Sequence, residues 1–281
     1  MKKPFVDLHV HSYYSDGSMS PEEIVLDAVS NEVGLLAIAD HDVLEGSEKL
    51  KDLCKDNDIH YIPAVEIDTA EEDNNIHILA YGFDMNDLTF RDFVKSTRFC
   101  LDEMSVKVVQ KMANDYSSLS LEEFFSYSYD KRLGGWGALH YLMEKGLSSS
   151  LKEGIRFYSE YDITYSKAGF STVAATAHRI RAAGGYAILA HPGEVLYTSD
   201  EDLFKEEVLK LVSYGLDGIE CYYPTHTEVI SKICLDICNE YGLMITGGSD
   251  CHGVFGRARV GERNIKQEQL NLKDLLERNF Y

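Results

Sequence analysis

Seven short apolar runs, each carrying an ionisable residue or followed within a few residues by one, constrain this chain more than any other feature. They lie at residues 5–10, 35–39, 61–67, 76–82, 186–190, 218–221 and 244–246. Amphipathic stretches of helical period separate most of them, at 47–56, 172–183, 202–213 and 226–241. An earlier helix is announced by Ser20-Pro21-Glu22-Glu23, which combines a capping box with proline at the first helical position. Repeated alternation of strand and helix predicts an α/β fold with a parallel sheet and right-handed crossovers. Seven strands in 281 residues predict closure into a seven-stranded (β/α)7 barrel, formed by residues 1–83 and 168–281. Residues 84–167 break the rhythm. They read as helices over 87–115, 121–126 and 137–145 with no convincing strand, and are expected to form an inserted helical cap subdomain near the site.

In a barrel of this kind, chemistry gathers at the C-terminal ends of the strands. His9 and His11 share one face of the first strand because side chains alternate along it. The second strand ends in Asp40-His41-Asp42 and the third near Glu66-Ile67-Asp68; the fourth carries His77. His191, Glu220 and Asp250-Cys251-His252 close the remaining three. A solvated edge would scatter Lys, Ser, Thr and Gln among these places. Instead, six of the ten histidines fall there with carboxylates beside them. Neutral imidazole with carboxylate oxygen suits Zn, Mn or Fe in the +2 state, and the set is too large for a single ion. Two or three adjacent metals, some bridged by a carboxylate such as Glu66, would use it. Such a cluster lowers the pKa of a bridging water and clamps the attacking and leaving oxygens of a phosphoryl transfer.

The stretches "DLHVHSYYSDGSMSPEEIV", "LLAIADHD", "IPAVEID", "IHILAYG", "AAGGYAILAHPG", "DGIECYYPTHT" and "GGSDCHG" together resemble the PHP (polymerase and histidinol phosphatase) family, in particular its stand-alone metal-dependent phosphoesterases. The resemblance covers the barrel and is weak over the cap. It implies a distorted barrel with a trinuclear centre: His9, His11, Glu66 and Asp250 on one ion, Glu66 bridging to a second held by His77 and His191, and Asp16, His41 and His252 on a third. Some relatives carry histidine where Asp16 stands; a carboxylate there mildly favours Mn or Fe over Zn. One departure concerns the Arg-Pro-His run that related enzymes often carry at the start of a cap helix. Gly135, Trp136 and Gly137 occupy those places here, so nucleotide specificity does not carry over. Trp136 then offers an apolar or stacking wall to substrate, or simply anchors the cap.

Around this cluster, Asp40 and Glu220 are candidates for orienting ligands or facing substrate, with Asp40 placed to accept the second ring N–H of His41. His226 is a candidate for phosphate contact or for the acid that protonates the leaving oxygen, alongside catalytic roles for Asp16 and His41; as an alternative it merely begins a helix. Arg257 and Arg259 are candidates for clamping phosphate, because guanidinium matches its oxygens in pairs. Their competing reading is pairing with surface acids.

The balance of 27 Lys+Arg against 47 Asp+Glu gives a formal charge of −20, which disfavours long nucleic acid as a partner. No apolar stretch approaches a membrane span, and Met1-Lys2-Lys3-Pro4 runs straight into a strand-like run without a signal-peptide pattern. Six cysteines without a CxxC read as reduced thiols of a cytoplasmic protein. The expected function is hydrolysis of a small phosphate monoester by metal-bound hydroxide. Its substrate would be a nucleotide, a nucleoside 3′,5′-bisphosphate or an amino-alcohol phosphate. A 5′–3′ exonuclease on short RNA or DNA and a non-catalytic metal-binding regulatory module are the alternatives. Oligomeric state is open.

Overall fold

The first apolar run becomes strand β1 (Phe5–Asp7), and the chain then bends through residues 12–18 into α1 (Pro21–Ser30). That helix starts where the sequence motif places it: the Ser20 hydroxyl accepts the Glu23 N–H, and the Glu23 carboxylate accepts the Ser20 N–H. Ile24, Val25 and Ala28 face inward from it. Strand β2 (Val33–Leu36), α2 (Glu45–Asp56) and β3 (His60–Tyr61) follow. The computed structural model describes residues 3–72, 74–196, 198–256 and 258–281.

Beyond β3 the chain does not stay parallel. Pro63, which has no N–H to give to a ladder, separates β3 from β4 (Ala64–Glu71), and β5 (Asn74–Tyr81) returns antiparallel, pairing Asp68 with His77. Six helices come next: α3 (Leu88–Met112), α4 (Leu121–Ser126), α5 (Gly137–Glu144), α6 (Leu151–Gly154), α7 (Arg156–Glu160) and α8 (Tyr165–Ala168). The chain finishes with α9 (Val173–Ala182), β6 (Tyr186–Leu189), α10 (Pro192–Val195), α11 (Glu201–Ser213), β7 (Gly218–Tyr222), α12 (Glu228–Tyr241), β8 (Met244–Gly247) and β9 (Ile265–Lys266).

Two mixed sheets result, with orders β3-β2-β1-β9 and β4-β5-β6-β7-β8. The expectation of one closed parallel barrel of seven strands needs correction on two points. Strand β5 is antiparallel to both its neighbours, β4 and β6. Among the described residues, the sheets are joined by isolated bridges, Val10 with Cys251 and His41 with Glu66, rather than by continuous ladders. The backbone explains the breaks: Asp42 and Asp250 take φ of 53° and 52°, which lie outside strand geometry, just where the ladders would have to continue. Both sheets nonetheless enclose one core. Val6, Leu8, Leu35, Ala37 and Ala39 meet Ala64, Leu79, Tyr81, Ile188 and Ala190 there. The alternate residues Leu36 and Ile38 pack outward under α1 and α2, the period-two alternation that a strand buried on both faces requires.

Helix α3 belongs to two cores. Phe90, Phe93 and Val94 pack against the five-stranded sheet, whereas Met104, Val108, Val109 and Met112 join Tyr141, Leu142, Phe157 and Phe170 in a separate cluster. A helix of 25 residues spans about 37 Å, enough to bridge sheet and insert.

Candidate metal centre

Residues 8–11, just beyond β1, run beside the chain leaving β8. Asp250 donates its N–H to the His9 carbonyl at 2.7 Å and His11 donates to the Cys251 carbonyl at 2.9 Å. Gly248 permits the approach: a Cβ there would lie 2.4 Å from His9 Cβ and 2.5 Å from its backbone nitrogen. This close pairing points His9, His11 and Asp250 at one spot. The His9 and His11 Nε2 atoms are 3.0 Å apart, and Glu66 Oε2 lies 3.1 Å from each. Asp250 Oδ1 sits 3.1 Å from His11 Nε2 and 3.4 Å from His9 Nε2.

A second group shares Glu66. Its Oε1 lies 3.0 Å from His77 Nδ1 and 2.9 Å from His191 Nε2, and those two nitrogens are 3.3 Å apart. His77 reaches this edge because β5 is antiparallel: the start of that strand lies where parallel strands end. A third group gathers His11, Asp16, His41 and His252, with Asp16 Oδ1 at 3.3 Å from His252 Nε2. All nine residues expected as ligands thus lie in three adjoining groups.

The surrounding bonds select the chemistry. Glu220 faces His9 Nδ1 at 3.1 Å and also accepts the His191 N–H at 2.9 Å. With the Nδ1 proton given to Glu220, His9 Nε2 presents a lone pair to Glu66 and Asp250, which are themselves acceptors. Asp250 Oδ1 is buried and has no hydrogen-bond donor. Lone pairs turned on lone pairs in a buried site call for protons or a cation, and the mixture of imidazole and carboxylate suits a divalent one. In the protein without metal, protons do that work. Burial opposes a charge on His9, yet Glu220, Glu66 and Asp250 outweigh it and hold the imidazole well above its ordinary range. Burial likewise opposes charge on His252, but Asp16 and Asp250 push it up to about 10. Glu66 is held well below the usual carboxylate range: burial resists, and His41, His9 and His77 prevail.

Several supporting assignments change. Asp40 does not touch the His41 ring. It accepts from the Ser12 N–H and hydroxyl and from the Ser15 hydroxyl at 2.6–2.7 Å, fixing the bend that carries Asp16. Neighbours on extended chain point to opposite sides, so an adjacent aspartate is badly placed for that ring. The partner of His41 is Asp68, with Oδ2 at 3.2 Å from Nδ1 and Oδ1 at 3.3 Å from His77 Nε2. Asp68 is two residues from Glu66 on the same strand face, so alternation alone was enough to nominate it. Tyr223, which donates its hydroxyl to Asp250 Oδ2 at 2.7 Å, carries no comparable signal in the sequence.

His226 stands outside the cluster. Its Nε2 accepts the Gly193 N–H at 3.1 Å and its Nδ1 faces the Cys221 carbonyl at 3.3 Å. Both ring nitrogens are committed to backbone, which corrects its candidacy as catalytic acid or phosphate contact. Arg259 is exposed, and its N–H donates to Glu262. The Arg257 assignment lies outside the described residues. Trp136 stands at the rim, its ring 5.9 Å from that of His41.

The chain is similar in sequence to several known enzymes. A 5′-3′ exoribonuclease of Haemophilus influenzae is 27% identical over 91% of this chain and 93% of its own. A phosphoribosyl 1,2-cyclic phosphate 1,2-diphosphodiesterase of Eggerthella lenta is 28% identical over 92% and 98%. A 3′,5′-nucleoside bisphosphate phosphatase of Chromobacterium violaceum is 25% identical over 90% and 89%. In fold, the chain is similar to the solved structure of an amidohydrolase from Chromobacterium violaceum. Their TM-score is 0.75 at 22% identity, covering 92% of this chain and 90% of that one. The family model for the PHP domain matches residues 7–281, so the chain that builds these three histidine–carboxylate groups belongs to the PHP domain family.

Proposed function

We propose that this chain is a metal-dependent phosphoesterase that hydrolyses a small phosphate monoester, such as a nucleotide, a nucleoside 3′,5′-bisphosphate or an amino-alcohol phosphate. One observation carries the reading: three adjoining sets of imidazole nitrogens and carboxylate oxygens, sharing Glu66 and His11, converge within 3.0–3.4 Å of one another. His9, His11, Glu66 and Asp250 would hold one divalent ion, and His77 and His191 with Glu66 a second. Asp16, His41 and His252 would hold a third. Bound there, Mn, Fe or Zn would supply the positive charge that polarises a phosphoryl group and acidifies water.

The chain's own residues then have defined tasks. Glu220 fixes the tautomer and tilt of His9, and Asp68 does the same for His41 and His77. Tyr223 orients Asp250. Asp16 and His41, on the side nearest Trp136, are the cluster members best placed beside an entering substrate. The helical insert 84–167 serves as a cap: Gly135 donates its N–H to the Asp16 carbonyl at 2.7 Å, tying insert to site. No helix of the described residues is long and apolar enough to cross a membrane, and all six cysteines are free, which supports a cytoplasmic setting.

An exonuclease acting on short RNA or DNA is the second reading, favoured by the name of the Haemophilus relative. Against it stand the −20 charge and a site flanked by the insert. The test is a panel of phosphate esters and 5′-phosphorylated oligomers assayed on protein whose metals are quantified. Turnover of monoesters that disappears in His9→Ala and on metal removal is expected. Folded, metal-loaded protein that hydrolyses nothing would leave only the reading as a non-catalytic module.

A further inference from the structure

A cavity of about 510 Å³ lies beneath the starts of β1, β2 and β3, at Phe5, Gly34 and His60. His9, His11 and His41 follow the opposite ends of β1 and β2, so the cavity is remote from the metal centre. None of the nine expected metal ligands lines it. Its volume falls in the range of about 300–1,000 Å³ that small-molecule sites occupy. The floor is core: Val6, Leu35 and Ile59 line it and are almost fully buried. Tyr281 makes a fixed wall, because its hydroxyl accepts the Tyr61 N–H at 3.2 Å and donates to the Ile59 carbonyl at 2.9 Å. Core side chains that face open space forgo the contacts that close packing would give.

The rim adds positive charge on an otherwise acidic chain: Lys3 and Lys55 line it, opposed by the single carboxylate side chain of Asp58. Gly34 brings Lys3 here, since a Cβ at that position would lie 2.4 Å from the Lys3 carbonyl oxygen. Lys3 Nζ donates to the Asn57 and Asp58 carbonyls at 2.5 and 3.2 Å. Those bonds fix the ammonium at the end of α2 and, among the described residues, leave its third N–H unclaimed. His60 supplies the specific observation. Its Nε2 is buried and, among the described residues, has no hydrogen-bond partner, which costs stability. Burial holds the ring below its ordinary range, so at neutral pH it presents an N–H or a lone pair without charge. Water would satisfy that nitrogen but leave the apolar floor wet. A ligand with a polar group and an apolar body satisfies both.

We propose that this cavity is a binding site for a small organic anion. Its acidic head would lie on Lys3 and Lys55, and its ring-sized apolar body on Val6, Leu35 and Tyr281, with a polar substituent on His60 Nε2. Such a molecule is out of reach of the metal centre and is a ligand other than the one hydrolysed. The site therefore stands apart from the phosphoesterase reading.

The test is titration calorimetry on the full chain, with its metals and after chelation. The probes are 4-hydroxyphenylacetate, 4-hydroxybenzylphosphonate and the uncharged 4-hydroxyphenylethanol. Wild type should bind at least one of the two acids saturably, and the alcohol about tenfold to a hundredfold more weakly, as loss of a charged hydrogen bond does. The tighter acid identifies the head as carboxylate or phosphate. Lys55→Glu should weaken the acids by a similar factor and leave the alcohol unchanged. His60→Leu should weaken all three by about threefold to tenfold, and His60→Gln, which keeps a polar group at the wall, is the second variant if that one fails to fold. Lys232→Glu, at an exposed lysine on α12, controls for general charge and should change nothing. Circular dichroism checks that each sample is folded. Failure of both acids to bind, equal affinity for the alcohol, or affinities unmoved by Lys55→Glu would overturn the site. Binding lost from folded protein on chelation would put the acids on the metals and overturn it too.

Discussion

Glu220 shows how much of the centre depends on residues that need touch no metal. It is fully buried, and its two oxygens serve the His9 ring and the His191 backbone. In Glu220→Gln an amide replaces the carboxylate and the ring loses its anionic acceptor. Metal retained per chain after dialysis should then correspond to an affinity lower by roughly tenfold to a hundredfold, the usual effect of losing such a partner. Retention equal to wild type would remove Glu220 from that role. Asp7 makes a different prediction. It accepts the N–H groups of Ser249 and Gly261 at 2.9 and 2.7 Å, yet burial dominates and pushes its carboxyl up to about 6. A carboxyl raised above its unfolded value binds more protons when folded. Its stabilising contribution is therefore complete below about pH 4 and is lost as pH rises through about 6. The difference in unfolding free energy between metal-free wild type and Asp7→Asn should drift by about 3 kcal/mol against wild type across that window. Denaturant titrations at pH 4 and pH 7 measure it, and a flat difference would contradict the assignment.

At the scale of elements, what the sequence disclosed followed from periodicity, and what it hid followed from chain direction. Alternation along 5–10 put His9 with His11, and the capping box located α1 within a residue. The antiparallel return of β5 has no such signature, because a buried strand reads alike in either direction. His77 was nominated from its apolar surroundings, and only the hairpin explains why it meets His191. His226 was lost for a related reason: proximity to a strand end says nothing about where ring nitrogens point. The junction between β1 and β8 gives the prediction that belongs here. Gly248→Ala would set a methyl 2.4 Å from His9 Cβ, closer than real contacts allow, so the two chains must part. The variant should lose most bound metal while the sheets on either side remain folded. Metal analysis beside circular dichroism checks this, and full metal content in Gly248→Ala would show that the pairing is dispensable.

The whole molecule combines an acidic exterior with a centre built to take cations, and that contrast discriminates between substrates by size. A charge of −20 surrounds the site with a negative field that extends about 10 Å in 0.1 M salt and about 3 Å in 1 M. On the proposed reading a mononucleotide, which carries few charges, would lie mostly within the cluster, where bound ions would supply local attraction. A 5′-phosphorylated oligomer must leave its remaining phosphates over the acidic surface. Raising salt screens that repulsion, so kcat/KM for the oligomer should rise with salt while the mononucleotide value changes little. Proteins that grip nucleic acid through basic grooves behave in the opposite way, losing affinity steeply as counterions compete. Parallel assays on a mononucleotide and a short oligomer from 0.05 to 1 M salt (about 20-fold in ionic strength) therefore test the proposed substrate class through the sign of one slope. A steep fall for the oligomer would mean that a basic track overrides the net charge, and the exonuclease reading would then replace the monoesterase one. A rise would leave cations bound at the centre as the attraction that holds a small phosphate ester on an acidic protein.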